Sequence, residues 1–163
     1  MEDRILFEDN HLIVINKKAG ELVQGDKTGD TPLLESVKAF LKKKYNKQGA
    51  TYLGLVHRLD RPTSGVVLFA KSSKALVRLN NQFKLRIPKK IYWAIVSKNF
   101  KYKKGSLTHW MTRNTKQNKS KAHNNKVPNS KLAKLYFKIL KSFDNYHLLE
   151  VNLETVSYTH LRA

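Results

Sequence analysis

The sequence predicts an α+β domain with a mainly antiparallel mixed sheet and flanking helices. Two observations predict it: strand-like segments outnumber helix-like ones, and they lie next to one another along the chain instead of alternating with helices. A third, the absence of any internal repeat or composition break that would mark a linker, keeps the 163 residues in one domain.

Taken in order, residues 4–8 (Arg-Ile-Leu-Phe-Glu) and 11–16 (His-Leu-Ile-Val-Ile-Asn) are short β-branched runs separated by the turn-favouring pair Asp9-Asn10, and read as two strands. Gly25 to Asp30 is polar and glycine-containing, a loop. Thr31 is placed to cap a helix over 32–46 that opens with Pro32 and carries Glu35 in its first turn. Leu33, Leu34, Val37, Phe40, Leu41 and Tyr45 recur there at helical spacing. The lysines crowding its end, Lys42, Lys43, Lys44 and Lys47, suit the helix dipole and equally a polyanionic ligand.

Ser72 caps a second helix, with Ala75, Leu76, Leu79 and Phe83 on one face and its end before Pro88. Residues 89–96, rich in aromatic and β-branched side chains, form a strand. Alternation puts Lys90, Tyr92 and Ala94 on one face and Ile91, Trp93 and Ile95 on the other, so that one face serves the core and one is open to a site. Residues 101–131 are basic and poor in apolar side chains. They predict a mobile connection suited to phosphate contacts, too poor in aromatic rings to stack bases. Leu135-Phe137-Ile139 and Leu149-Val151-Leu153 alternate around Asp144-Asn145, a hairpin over 132–155 whose final strand is expected to be an unpaired edge.

Thirty-two Lys and Arg against twelve Asp and Glu give a formal charge of +20, which calls for a polyanionic partner, with an anionic membrane surface as the competing reading. No run reaches the roughly 20 apolar residues of a membrane-spanning helix and no signal peptide opens the chain, so a soluble, cytoplasmic protein is expected. Without cysteine there are no disulfides, thiolate-bound metals or thiol nucleophiles. The six histidines are scattered, and no metal is expected.

The chemistry concentrates in His57-Arg58-Leu59-Asp60-Arg61-Pro62-Thr63-Ser64-Gly65, followed by the apolar run Val66 to Ala70 and Lys71. A carboxylate between two arginines, at the mouth of a buried strand, is held ionised by its neighbours. Such a group acts as a nucleophile or a base. The plain structural alternative is a solvated ion cluster before an ordinary strand.

This fifteen-residue stretch resembles the catalytic motif of the RluA-type pseudouridine synthases, which isomerise uridine in structured RNA. Lys17 to Val23 resembles the family's first motif, a segment that passes beneath the active site, with Lys18 where proline is usual; Lys90-x-Tyr92-x-Ala94 resembles a further motif. The resemblance implies a pseudouridine synthase-like catalytic domain in which Asp60 is the covalent catalyst. It implies that Arg58 fills the stack vacated by the flipped base or pairs with Asp60, that Tyr92 lies against the uracil, and that Lys90 orients Tyr92 or Asp60. It further implies a structured rRNA or tRNA as partner and no cofactor or metal; a monomer is expected. The alternatives are a catalytically inactive basic RNA-binding module and, on size and charge alone, a ribosome-associated structural protein.

The resemblance runs from about residue 5 to Thr155. There the family continues Gly-Arg-Thr-His-Gln-Ile-Arg, whereas this chain reads Val156 to Ala163. The family's arginine in that segment pairs with the catalytic aspartate, and Arg162 is out of register with it. The expectation is a partial, incomplete catalytic domain over 1–155 followed by a foreign or misread tail at 156–163.

Overall fold

A computed structural model describes residues 1–114 and 119–154. The fold is α+β, and every strand pairing among the described residues is antiparallel. The chain divides into two compact units, Met1–Ile87 and Pro88–Ala163.

In the first unit, strands β1 (Ile5–Glu8), β2 (Leu12–Lys17), β3 (Gly54–Leu55) and β4 (Gly65–Ala70) form a sheet in the order β1-β2-β4-β3. The two strands read at 4–8 and 11–16 are thus present. β2 and β4 pair along their whole length, from Leu12 opposite Ala70 to Lys17 opposite Gly65. Their alternate residues Ile13, Ile15, Val67 and Phe69 are fully buried. Against them, helix α1 (Leu33–Lys44) lays Leu33, Val37 and Leu41, three residues at helical spacing. Each such side chain contributes about 1.5–3 kcal/mol of burial. Helix α2 (Ser73–Lys84) is capped as the sequence predicts, the Ser72 hydroxyl accepting the Ala75 N–H. Its Leu76 reaches Gly54, where a Cβ would come within 2.9 Å of the leucine, so a side chain at that position would have to displace it.

The start of α1 corrects the sequence reading. Thr31 is not its cap; Pro32 holds the N-cap position with no side-chain bond. The free amides of Leu33 and Leu34 donate instead to the carbonyls of Leu22 (2.7 Å) and Val23 (3.2 Å). An extended neighbouring segment has replaced the hydroxyl that local sequence pointed to.

The second unit is a five-stranded sheet of β5 (Ile91–Ser97), β6 (Lys104–Asn114), β7 (Lys119–His123), β8 (Lys131–Ser142) and β9 (Tyr146–Leu153), in the order β5-β9-β8-β6-β7. The hairpin predicted over 132–155 is β8–β9, and its alternation holds: Phe137, Leu149 and Val151 are buried. Two expectations fail here. Residues 104–114 and 119–123 are strands and not part of a mobile connection: β6 pairs with β8 over eight positions and with β7 over five. Backbone groups bonded to neighbouring strands need little apolar burial of their own. The last strand, β9, is not an edge: it lies between β5 and β8. As its alternation predicts, β5 has one buried and one open face. Tyr92, Ala94 and Val96 pack on the buried cluster, while Ile91, Trp93 and Ile95 are 52%, 72% and 72% exposed. Among the described residues no helix is long and apolar enough to cross a membrane.

Candidate active site

Alternation along β2 runs Ile13, Ile15, Lys17, so the third inward position is a lysine, and it is fully buried. A buried ammonium is costly unless it is hydrogen-bonded. Lys17 Nζ donates to the carbonyl oxygens of Lys18 (3.1 Å), Asp60 (3.2 Å), Arg61 (3.1 Å) and Thr63 (2.6 Å). Three N–H groups serve four acceptors, three of which belong to the loop between β3 and β4. Burial pushes the Lys17 pKa down, and the carboxylates of Glu21 and Asp60 pull it back. The cation beneath the aspartate loop is therefore one that sequence reading passed over. The signal was present in the alternation, since a lysine with inward parity on a buried strand must find acceptors.

The loop is fixed from other sides too. The Thr63 N–H donates to the Asp60 carbonyl at 3.0 Å, closing a turn that contains Pro62, and the Gly20 N–H donates to the Arg61 carbonyl at 2.7 Å. Gly20 has φ +88°, a left-handed conformation that glycine adopts without steric cost. Glu21, next in sequence, binds the Arg4 guanidinium and accepts the Lys18 N–H at 2.9 Å. The segment expected to pass beneath the site is thereby tied to the turn before β1, and Lys18 in place of proline contributes a backbone donor that proline lacks.

Leu59 packs on the hydrophobic core, and Gly65, with φ +131°, turns the chain into β4 beside it. His57 Nε2 accepts the Leu68 N–H at 3.2 Å while its ring stacks on Phe83 of α2, centroids 5.2 Å apart. Nε2 as acceptor leaves the ring proton on Nδ1. Between these anchors Asp60 is half-buried and Arg58 exposed. Arg61, one of the two arginines read as flanking Asp60, directs its guanidinium to Asp30 at 2.7 Å on the surface.

Lys90 and Tyr92 belong to the second unit, at the start of β5. Tyr92 is half-buried against the cluster of Phe137, Leu149 and Val151, and burial lowers the pKa of Lys90. The structure thus brings Arg58 and Asp60 together in one loop, and places Tyr92 on β5 with Lys90 in the residue just before that strand. The segment in which the family's aspartate-pairing arginine was sought, 156–163, lies outside the described residues. Among the described residues no group of three or more His, Asp or Glu side chains is arranged to hold a metal.

An antiparallel α+β protein of net charge +20 that holds an aspartate loop on a buried lysine defines a class: a polycationic protein presenting a positioned carboxylate. More particularly, the chain belongs to the RNA pseudouridylate synthase family, whose model matches residues 11–163. It is 38% identical over 148 residues to a ribosomal large subunit pseudouridine synthase C of Rickettsia conorii, covering 88% of this chain and 45% of that protein. It is 31% identical over 152 residues to the enzyme of the same name in Vibrio parahaemolyticus, covering 93% of this chain and 45% of the relative. Among solved structures it superposes on human RNA pseudouridylate synthase domain containing 4, with TM-score 0.77 and 24% identity over 98% of this chain and 61% of that one, a likeness of fold. The chain spans about half the length of the curated relatives it matches.

Proposed function

We propose that the protein is an RNA pseudouridine synthase that isomerises specific uridines in rRNA or tRNA, with Asp60 as the covalent catalyst. The observation that carries this reading is the Lys17 ammonium, which binds the carbonyls of Asp60, Arg61 and Thr63 in the loop that presents the Asp60 carboxylate. A buried charge is a costly way to shape a surface loop. It is well suited to holding a nucleophile still, because productive geometry depends on sub-ångström positioning.

In the proposed reaction the target uridine leaves its stack, at a cost of a few kcal/mol. Asp60 attacks it, the glycosidic bond breaks, the freed uracil turns, a ring carbon is joined to the sugar, and the bond to Asp60 is released; the proton lost from that carbon is balanced by one gained at the ring nitrogen that left the sugar. Arg58, exposed beside Asp60, fills the vacated stack or pairs with the carboxylate. Tyr92 lies against the uracil and takes the ring proton late in the reaction, and Lys90 orients Tyr92 or Asp60. No redox step occurs, since the product is an isomer of the substrate, and we propose that no cofactor or metal takes part. The names of the bacterial relatives point to the large ribosomal subunit, so rRNA is the first substrate to try and the cytoplasm the proposed compartment.

The test is pseudouridine formation on ribosomal and transfer RNA by this chain, by a version extended from the parent gene, and by Asp60→Ala in each. Turnover that disappears with Asp60→Ala supports the proposal. RNA binding with steep salt dependence and no pseudouridine from any version supports the inactive binding module instead.

A further inference from the structure

From Arg61 to Phe143 the chain contains no aspartate or glutamate. Most of the second sheet is built from this acid-free run, and pairing sorts its residues onto two faces. Lys104 lies opposite Lys138, Ser106 opposite Tyr136, Thr108 opposite Lys134 and Trp110 opposite Leu132. On the far side of β6, Thr112 pairs with Lys121 and Asn114 with Lys119. Directly paired residues share a face, so one face of β8, β6 and β7 gathers five lysines around Tyr136 and Trp110. The opposite face carries Phe137, Leu149 and Val151, the buried cluster.

On the basic face Tyr136 is 45% exposed. The Lys134 ammonium stands 4.9 Å from the centre of its ring, and Lys126 stands 5.5 Å from the ring of Trp110. Tyr136 also borders a shallow open depression of about 510 Å³ whose walls include Lys104, Ser106, Lys138 and Asn152. Lys138 and Lys134 are matched by Glu150 (3.0 Å) and Glu154 (3.1 Å), at the β9 side of this face. Toward β6 and β7 the excess positive charge grows, because the sequence there supplies no carboxylate.

We propose that this face is a docking platform for a single-stranded segment of the RNA substrate, with Tyr136 and Trp110 stacking bases and the neighbouring lysines taking phosphates. The proposal rests on RNA being the substrate and adds a second contact surface to the Asp60 loop. An ammonium over one face of each ring, about 5 Å from its centre, leaves the other face for a base and holds a cation where that nucleotide's phosphate can meet it. In register the two rings lie four residues apart, roughly 13 Å along the strands at ~3.3 Å per residue, a separation that a few unpaired nucleotides bridge. Paired RNA does not fit the same description, since its bases are stacked on one another and closed to aromatic side chains. Ile91, Trp93 and Ile95 of β5 continue this face beyond β9, but they adjoin Glu150 and their strand supplies no lysine of its own, so they are left out of the platform.

Aromatic count in residues 101–131 alone argued against stacking. The pairing of β6 with β8 changes that by bringing in Tyr136 from outside the stretch.

The test uses the whole chain carrying Trp93→Phe, so that Trp110 alone reports fluorescence, titrated with a short oligouridylate. Stacking predicts quenching of Trp110, an affinity about tenfold lower in Tyr136→Leu, and recovery in Tyr136→Phe, which keeps the ring. Unchanged Trp110 emission together with equal affinity in Tyr136→Leu and Tyr136→Phe would overturn the proposal. So would a dimer, seen by sedimentation, that Tyr136→Leu abolishes without altering oligouridylate binding. Pseudouridine formation measured on the same variants separates the two readings: Asp60-dependent turnover without Trp110 quenching sinks the platform alone, and quenching without turnover by any version sinks the enzyme alone.

Discussion

The Lys17 ammonium donates to the Asp60 carbonyl at 3.2 Å from a position with no solvent exposure. A cation at the end of one core strand therefore holds the loop that leads into the strand beside it. Replacing Lys17 with methionine keeps the length of the side chain and removes every donor, leaving the carbonyls of Asp60, Arg61 and Thr63 without that partner. The expected loss is about 2–4 kcal/mol of stability, read as a lower urea midpoint. Turnover per folded molecule should fall as well, because the loop loses its anchor. A Lys17→Met variant of undiminished stability and activity would show that the ammonium is incidental.

Glu8 joins three parts of the first unit. Its carboxylate accepts from Lys44 (2.8 Å), Lys71 (2.7 Å) and the Tyr45 hydroxyl (2.7 Å). Burial pushes its pKa up, but the two ammonium groups and the hydroxyl outweigh that and bring it down to about 2, from an ordinary 4.5. With the folded pKa below the unfolded one, the stabilisation is complete above the unfolded value and is lost as pH falls from 4.5 toward 2. The amount is about 3 kcal/mol. Thermal melts between neutral pH and pH 2 should show Glu8→Gln with a flatter acid limb than the parent chain; parallel limbs would refute the linkage.

At Gly20 no atom lies within 4 Å of where a Cβ would sit, so Gly20→Ala meets no clash. Its cost is the left-handed backbone alone, about 1–2 kcal/mol. The Gly20 N–H is also bonded to the Arg61 carbonyl, so any relaxation of φ pulls on the aspartate loop. Chemical denaturation should show a loss of that size, and turnover should fall more than stability does.

Tyr92→Phe removes a hydroxyl from a side chain packed on Phe137, Leu149 and Val151 without removing the ring. Fold and RNA affinity should persist. If Tyr92 takes the ring proton, turnover should drop by about 10²–10⁴. Quantifying pseudouridine in single-turnover reactions checks this, and a fully active phenylalanine variant would exclude the role.

Much of this architecture was readable in local pattern. The alternation of β8 and β9, the helical spacing of Leu33, Val37 and Leu41, and the Ser72 cap each follow from a period or a capping residue, and each appears as expected. The failures share a physical origin: a partner distant in sequence supplied what local reading asked of a neighbour. Leu22 and Val23 took the place of a Thr31 cap. β8 made a strand of β6, which has little apolar surface of its own. At the site, Asp60 stood out by its setting between two arginines, while Lys17 looked like one lysine among many until its parity with Ile13 and Ile15 was set beside its burial. Arg61, adjacent to Asp60 in sequence, turned to Asp30.

The most direct measurement is pseudouridine formation by Asp60→Asn, paired with RNA affinity for the same preparation. Asparagine keeps the size of the side chain and the loop's backbone contacts with Lys17, and removes only the charge and nucleophilicity of the carboxylate. The account predicts RNA binding close to that of the parent chain and no detectable pseudouridine. Turnover that survives in Asp60→Asn would contradict it, and would move the catalytic group elsewhere on the chain.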